Sequence, residues 1–283
     1  MKALPLLLFS SLVCARLLAA EPADPPKELG LPEIMAEYLK AQGGSAYIES
    51  IETLRLEGTI TQDDLEIEFV QVKKQPNLMR MTFDMGPIEL IMGYNGETAW
   101  QTTRQRPQAK ELTGGAKKEL ISTAAMFNEL YQPHNPRIMR KYLGPDEFEG
   151  TPVYVIEVTL EDGAVHRYSI DQESFLDRRL ETTQVVDGVA HALEQRYYDI
   201  RPLDKLQLPH RVESFRDGER VSVVSINTIQ VDAGVYLPYF DPPGGIEGRD
   251  ELPVKTTREP LTPPSGNTIT GSSVLAGATL SAN

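Results

Sequence analysis

Cysteine is nearly absent from this chain of 283 residues; Cys14 stands alone. No disulfide can close within the chain, so a packed core has to supply its stability. Histidine is scarce too. His134, His166, His191 and His210 do not pair at helical ligand spacing, and no cysteine remains to complete a zinc set. There is no G-x-S-x-G elbow, no P-loop and no dinucleotide fingerprint. Basic residues are outnumbered, 28 against 41 acids, for a net charge of -13. That balance argues against nucleic acid and against anionic membrane surfaces as partners. The acids themselves form no catalytic pair. Asp63-Asp64 reads as a hairpin tip, and Glu66 with Glu68 as a solvated strand face. No catalytic residue, metal ligand or cofactor is expected.

Long apolar runs are missing as well, and the longest one is at the start. Lys2 precedes the run Ala3 to Ala15, and Leu18-Ala19-Ala20 follows. This is the pattern of a secretory signal peptide, over residues 1–20, cut after Ala20. The run is too short to span a bilayer. Cys14 follows Leu12-Val13 and not the small residues that lipoprotein processing wants, so lipid anchoring there is not expected. The expected location is the periplasm. Losing Lys2 and Arg16 but no acid would take the net charge to -15. Residues 21–30 read as a Pro-rich linker, 31–248 as one domain, and 249–283 as a disordered tail rich in Pro, Thr, Ser and Gly.

What the domain does have is period-two alternation. Leu54, Leu56 and Ile60 alternate with Arg55, Glu57 and Thr59, with Gly58 as a bulge. Leu65, Ile67 and Phe69 do the same, and so do Met79, Met81, Phe83 and Met85. One oily and one wet face describe an antiparallel sheet covered on one side. Asn95-Gly96 predicts a type I′ hairpin turn between an apolar strand and the strand of Trp100. The second half, from Met139 to Val231, reads as a meander with turns such as Asp187-Gly188 and Asp217-Gly218. Helical spacing is confined to Leu31 to Leu39, ended by Gly43-Gly44, a short stretch Ser45 to Ser50, and Ala116 to Tyr131. Arg80 and Arg55 read as solvent-side partners for the acids.

Taken in order, several segments resemble the outer-membrane lipoprotein-sorting proteins, the LolA-like family related to LolB and RseB. They are Lys73-Lys74-Gln75-Pro76-Asn77-Leu78-Met79, Tyr94-Asn95-Gly96-Glu97-Thr98-Ala99-Trp100, Glu149-Gly150-Thr151-Pro152-Val153-Tyr154, Leu208-Pro209-His210-Arg211-Val212 and Phe240-Asp241-Pro242-Pro243-Gly244-Gly245. The resemblance implies a mainly β (α+β) fold: a half-open antiparallel β-barrel with helices over its concave face. It also implies a carrier or sensor that holds acyl chains between sheet and helical lid. Its partner would be a lipid acyl chain or a lipidated protein, and an envelope membrane protein is a further candidate. The family's carriers have a basic residue just before the proline, which latches the lid. Here that position is Gln75, while Lys73 and Lys74 are read as pointing elsewhere.

The expected ligand wall is Met79, Met81, Phe83, Met85, Leu90, Met92 and Trp100 from the sheet, with Leu120 and Phe127 from the lid. Methionine gives such a wall an adaptable surface. The competing reading of the same residues is plain core, because apolar alternation is first of all packing. The two readings of function follow from this choice. One is a lipid- or lipoprotein-binding module. The other is a non-catalytic envelope protein with a filled core that acts through a protein partner. An enzyme is not expected.

Overall fold

A computed structural model describes residues 29–132, 135–186 and 188–248. The expected signal peptide with Cys14, most of the linker, the tail, His134 and Asp187 lie outside the described residues. Helices α1 (Leu31–Ala41) and α2 (Ser45–Ser50) come first. A meander follows: β1 (Thr53–Gln62), β2 (Leu65–Lys74), β3 (Leu78–Asp84), β4 (Glu89–Tyr94), β5 (Ala99–Thr103) and β6 (Arg106–Glu111). Helix α3 (Gly114–Ala124) and a 3-10 turn (Glu129–Tyr131) interrupt it. The second meander is β7 (Met139–Phe148), β8 (Thr151–Thr159), β9 (Val165–Asp171), β10 (Asp177–Val186), β11 (Val189–Leu203), β12 (Leu206–Arg216) and β13 (Glu219–Val231).

The two meanders join where β1 pairs with β13, making one antiparallel sheet of 13 strands. Its edges are β6 and β7, which are consecutive in the chain yet do not pair. The sheet is therefore unclosed. The connection from Leu112 to Ile138, which carries α3, links its two edges.

The register shows what each face carries. Phe69 pairs with Phe83, which pairs with Leu90; Gln71 pairs with Met81, which pairs with Met92; Lys73 pairs with Met79, which pairs with Tyr94. These rows form the inner face. Ile34 and Tyr38 of α1, Ile48 of α2 and Met126 and Leu130 of the connection join Leu54, Leu56, Met81 and Phe83 in the main core. The bulge expected at Gly58 is present between Glu57 and Gly58. Only glycine fits there, since a Cβ would stand 2.0 Å from the Ser225 carbonyl oxygen.

Two turns differ in mechanism. Asp217 and Gly218 both take positive φ (52° and 85°), as a type I′ turn requires. At Asn95-Gly96 only Gly96 does (φ 96°). Asn95 instead accepts the Glu97 and Thr98 amides through Oδ1 at 3.1 and 2.9 Å, so its side chain closes the loop. Strand β6 was not expected, because Arg106-Pro107-Gln108-Ala109-Lys110-Glu111 has no apolar alternation. Its free edge is covered by the chain itself: Ala109 donates to the Gly245 carbonyl and accepts from the Glu247 amide. The expected helix Ala116 to Tyr131 stops at Ala124, where Ala125 turns extended (ψ 132°).

The outer face has a core of its own. Trp100 is fully buried there, with Ile91 and Ala109, and its indole nitrogen donates to the Phe240 carbonyl at 3.0 Å. Arg80, expected at the solvent side, lies over the Trp100 and Tyr239 rings at 5.8 and 4.8 Å and donates to the Tyr239 carbonyl. The indole lies directly on Gly93, where an added Cβ would be 2.4 Å from a ring carbon. Overpacking of this kind costs about 1–3 kcal/mol. Gly93→Ala is expected to destabilise the fold by that amount and to shift the emission of its single tryptophan. Denaturant titration followed by fluorescence checks both.

Candidate functional site: the lid and the cavity beside it

A sheet that does not close leaves its inner face to be covered by whatever crosses the gap. Here that is α3 and the segment after it. The helix itself is lightly held. It buries Leu120, Thr123 and Ala124, and it packs in a small cluster with Met79, Tyr94, Ala99 and Leu112. Thr113 at its N-terminus makes no side-chain cap.

Its C-terminus is held differently. Lys73 projects from the inner face of β2, is 1% exposed, and donates from Nζ to the Ala125 carbonyl at 2.8 Å. The last carbonyls of a helix lack partners within the helix and carry its partial negative charge, so an amine is the fitting donor. Burial alone pushes the Lys73 pKa down to about 7. Gln75 is exposed and lies just beyond β2. Its Nε2 donates to the Ile51 carbonyl at 2.7 Å, at the end of α2. The expected latch position thus touches α2, and Lys73, read as pointing elsewhere, is the one that reaches the lid.

The segment after α3 is fixed by buried polar groups. Asp177 accepts from Tyr38 at 2.9 Å and from Asn128 at 3.2 Å, both through Oδ2, and so ties α1, the lid and β10 together. Its Oδ1 is enclosed without a partner. Burial is the main reason why the Asp177 pKa rises to about 6. Glu129 is fully buried; its Oε2 accepts from Tyr168, and its Oε1 stands 3.2 Å from His166 Nδ1. Arg140 donates to the Glu129 and Gln132 carbonyls, both at 2.6 Å. The cover thus has a hydrogen-bonded base, built on the 3-10 turn, and a lightly held helix before it.

Beside α3 lies a cavity of about 530 Å3. Lys118, Glu119 and Ser122 of α3 form one wall, and the inner face of β9–β13 forms the other. The expected site residues lie elsewhere. Met79, Met81, Phe83 and Leu120 are buried core; Met85, Leu90 and Met92 are half-buried against it. Phe127 borders a separate cavity of about 40 Å3 next to Asp177. Trp100 is on the outer face, one residue out of phase with Ala99 and Gln101. Among the described residues, no group of three or more His, Cys, Asp or Glu could hold a metal ion. No described helix is long and apolar enough to cross a membrane.

An unclosed antiparallel sheet with helices over its inner face is the arrangement that the sequence resemblance implied. The fold is a half-open antiparallel β-barrel. A DUF1329 family protein from Desulfovibrio piger is similar at a TM-score of 0.50 and 12% identity, over 74% of this chain and 96% of that one. An outer membrane lipoprotein-sorting protein domain from Vibrio parahaemolyticus follows at 0.48 and 12%, over 74% and 94%. A LolA superfamily protein from Nitrosomonas europaea aligns at 0.48 and 12%, over 75% and 97%. No family model matches the sequence, and no curated protein does. At such identity the likeness concerns the fold alone.

The two shifted groups make the stability of the fold depend on pH. Between about 7 and 10.5 the unfolded chain binds a proton on Lys73 that the folded chain does not. Stability from this group therefore rises with pH across that window and is lowest below 7. Between 3.8 and about 6 the folded chain binds the extra proton, on Asp177. That contribution is complete below 3.8 and is lost as pH rises through 6. Each slope is at most about 1.4 kcal/mol per pH unit. Lys73→Met is expected to flatten the alkaline limb of a melting-temperature profile, and Asp177→Asn the acid limb. Thermal melts from pH 4 to 10 on both variants check this.

Proposed function

We propose that this chain is an exported, non-catalytic lipid- or lipoprotein-binding protein of the periplasm, acting as a carrier or sensor. The observation that carries the reading is the cavity between a lightly held lid and the inner face of an unclosed sheet. Its volume falls within the range of small-molecule sites. The folded unit is residues 31–248, and the binding partner is an acyl chain or a lipidated protein.

The oily inner wall is filled in this structure, so an acyl chain needs room made for it. The natural opening is beneath α3. Lifting that helix exposes Met79 and Tyr94, with Met92 beside them, and breaks the contact of Lys73 with Ala125. The hairpin ends near the cavity mouth also carry exposed aliphatics, Leu65 at 53%, Val185 at 67% and Val189 at 56%. An amphiphile entering there meets apolar surface before it meets the lid.

Two measurements test the reading. Native mass spectrometry of the protein purified from an envelope fraction is expected to show a bound lipid. Hydrogen exchange is expected to be faster in α3 than in β1 or β2, and to slow when lipid binds. Absence of bound lipid, together with α3 amides as protected as the strands, would sink the proposal. The filled-core protein that works through a protein partner would then replace it.

A further inference from the structure

The cavity is not lined as an acyl-chain pocket should be. On the inner face of β9–β13 the oily pattern fails toward the hairpin ends. Leu180 pairs with Gln195, which pairs with Ser214, which pairs with Ser222. Thr182 pairs with Leu193, which pairs with Arg216. All seven border the cavity. Ser214 is 7% exposed, and its Oγ has no hydrogen-bond partner. The Arg216 Nε is buried and equally without a partner. Buried polar atoms are almost always bonded, so two orphans on one cavity wall point to something that belongs there.

We infer that this cavity seats an uncharged, polyhydroxylated headgroup, of the sugar or glycerol kind, at the end of the bound amphiphile. This rests on the lipid-binding reading and names the polar half of its ligand. A hydroxyl both donates and accepts, which suits a wall of Ser, Thr and Gln side chains with mixed needs. The charges at the cavity do not favour an ionic head. Glu119 feels the positive charge of Arg216, and Glu194 is held by Arg196. Lys118 and Asp162 add one charge of each sign. Neither a phosphate nor an ammonium finds a surplus of the opposite charge. Leu180 and Leu193 give the carbon face of such a headgroup an apolar floor.

The test uses the full chain and two probes of equal tail length: n-octyl glucoside below its micelle concentration, and sodium octanoate. Isothermal titration is expected to show octyl glucoside binding at least tenfold tighter. Ser214→Ala is the decisive variant. It removes an unpartnered hydroxyl and adds no bulk, so the empty protein should melt at the same temperature or higher. The same change should weaken octyl glucoside binding severalfold and leave octanoate unaffected. A merely structural serine would not move the two readouts in opposite directions. Equal binding of both probes, with no effect of Ser214→Ala, overturns the headgroup assignment and leaves lipid binding standing. Binding of neither probe by a protein that carries native lipid also overturns it, because the cavity then holds only water. A protein that binds neither probe and carries no lipid fails both readings at once.

Discussion

The constraint that organises this molecule is a sheet whose two edges are neighbours in the chain but never pair. Closure would have satisfied the edge strands and enclosed the inner face. Without it, each problem needs its own solution. The β6 edge is covered by the segment around Gly245 to Glu247. The inner face is covered by α1 and α2 before the first strand and by the connection between the meanders. That connection has to start at one edge and end at the other, so it crosses the opening. A cover placed by topology is free to be weakly packed, because its position does not depend on its own burial.

The connection divides its work between two kinds of contact. Its second half, from Asn128 to Gln132, is bonded to Tyr38, Asp177, Tyr168 and Arg140, which belong to α1 and three different strands. Buried networks of this sort are costly to break, because each freed group loses water as well as its partner. Its first half, α3, has a small apolar cluster, with the Lys73 donor at its end. Unequal fixation of two adjoining segments is what lets one move while the other stays.

The fold was legible in the sequence, because its strands alternate cleanly and its turns carry Asp and Gly where positive φ is needed. β6 was not legible: an edge strand with Pro107, and Ala109 as its one buried apolar residue among those described, has no periodic signal to read. The site was only partly legible. The oily wall from Met79 to Met92 faces inward as expected, but Trp100 faces outward, since a strand that places Ala99 and Gln101 inside must place residue 100 outside. Lys73 could have been found. It shares parity with Ile67 and Phe69, so the alternation that turns those two inward turns Lys73 inward as well. The polar cavity also left a trace, because Thr182, Gln195 and Ser214 stand at inner positions where the alternation calls for aliphatics. A break in a pattern is as informative as the pattern. What no pattern could supply was Ala125, since a backbone carbonyl leaves no mark on the sequence.

The choice of lysine at residue 73 follows from the same physics. An arginine there would stay charged at every pH and would need an anion or several acceptors in a place that offers one carbonyl. A lysine can shed its proton, keep a donor for Ala125, and remain buried as a neutral amine. With its pKa brought down to about 7, the two states are nearly balanced at neutral pH. The charged form gains more from water than from one carbonyl, so burial with a single acceptor disfavours the proton and leaves the neutral amine as the donor that suits this seat.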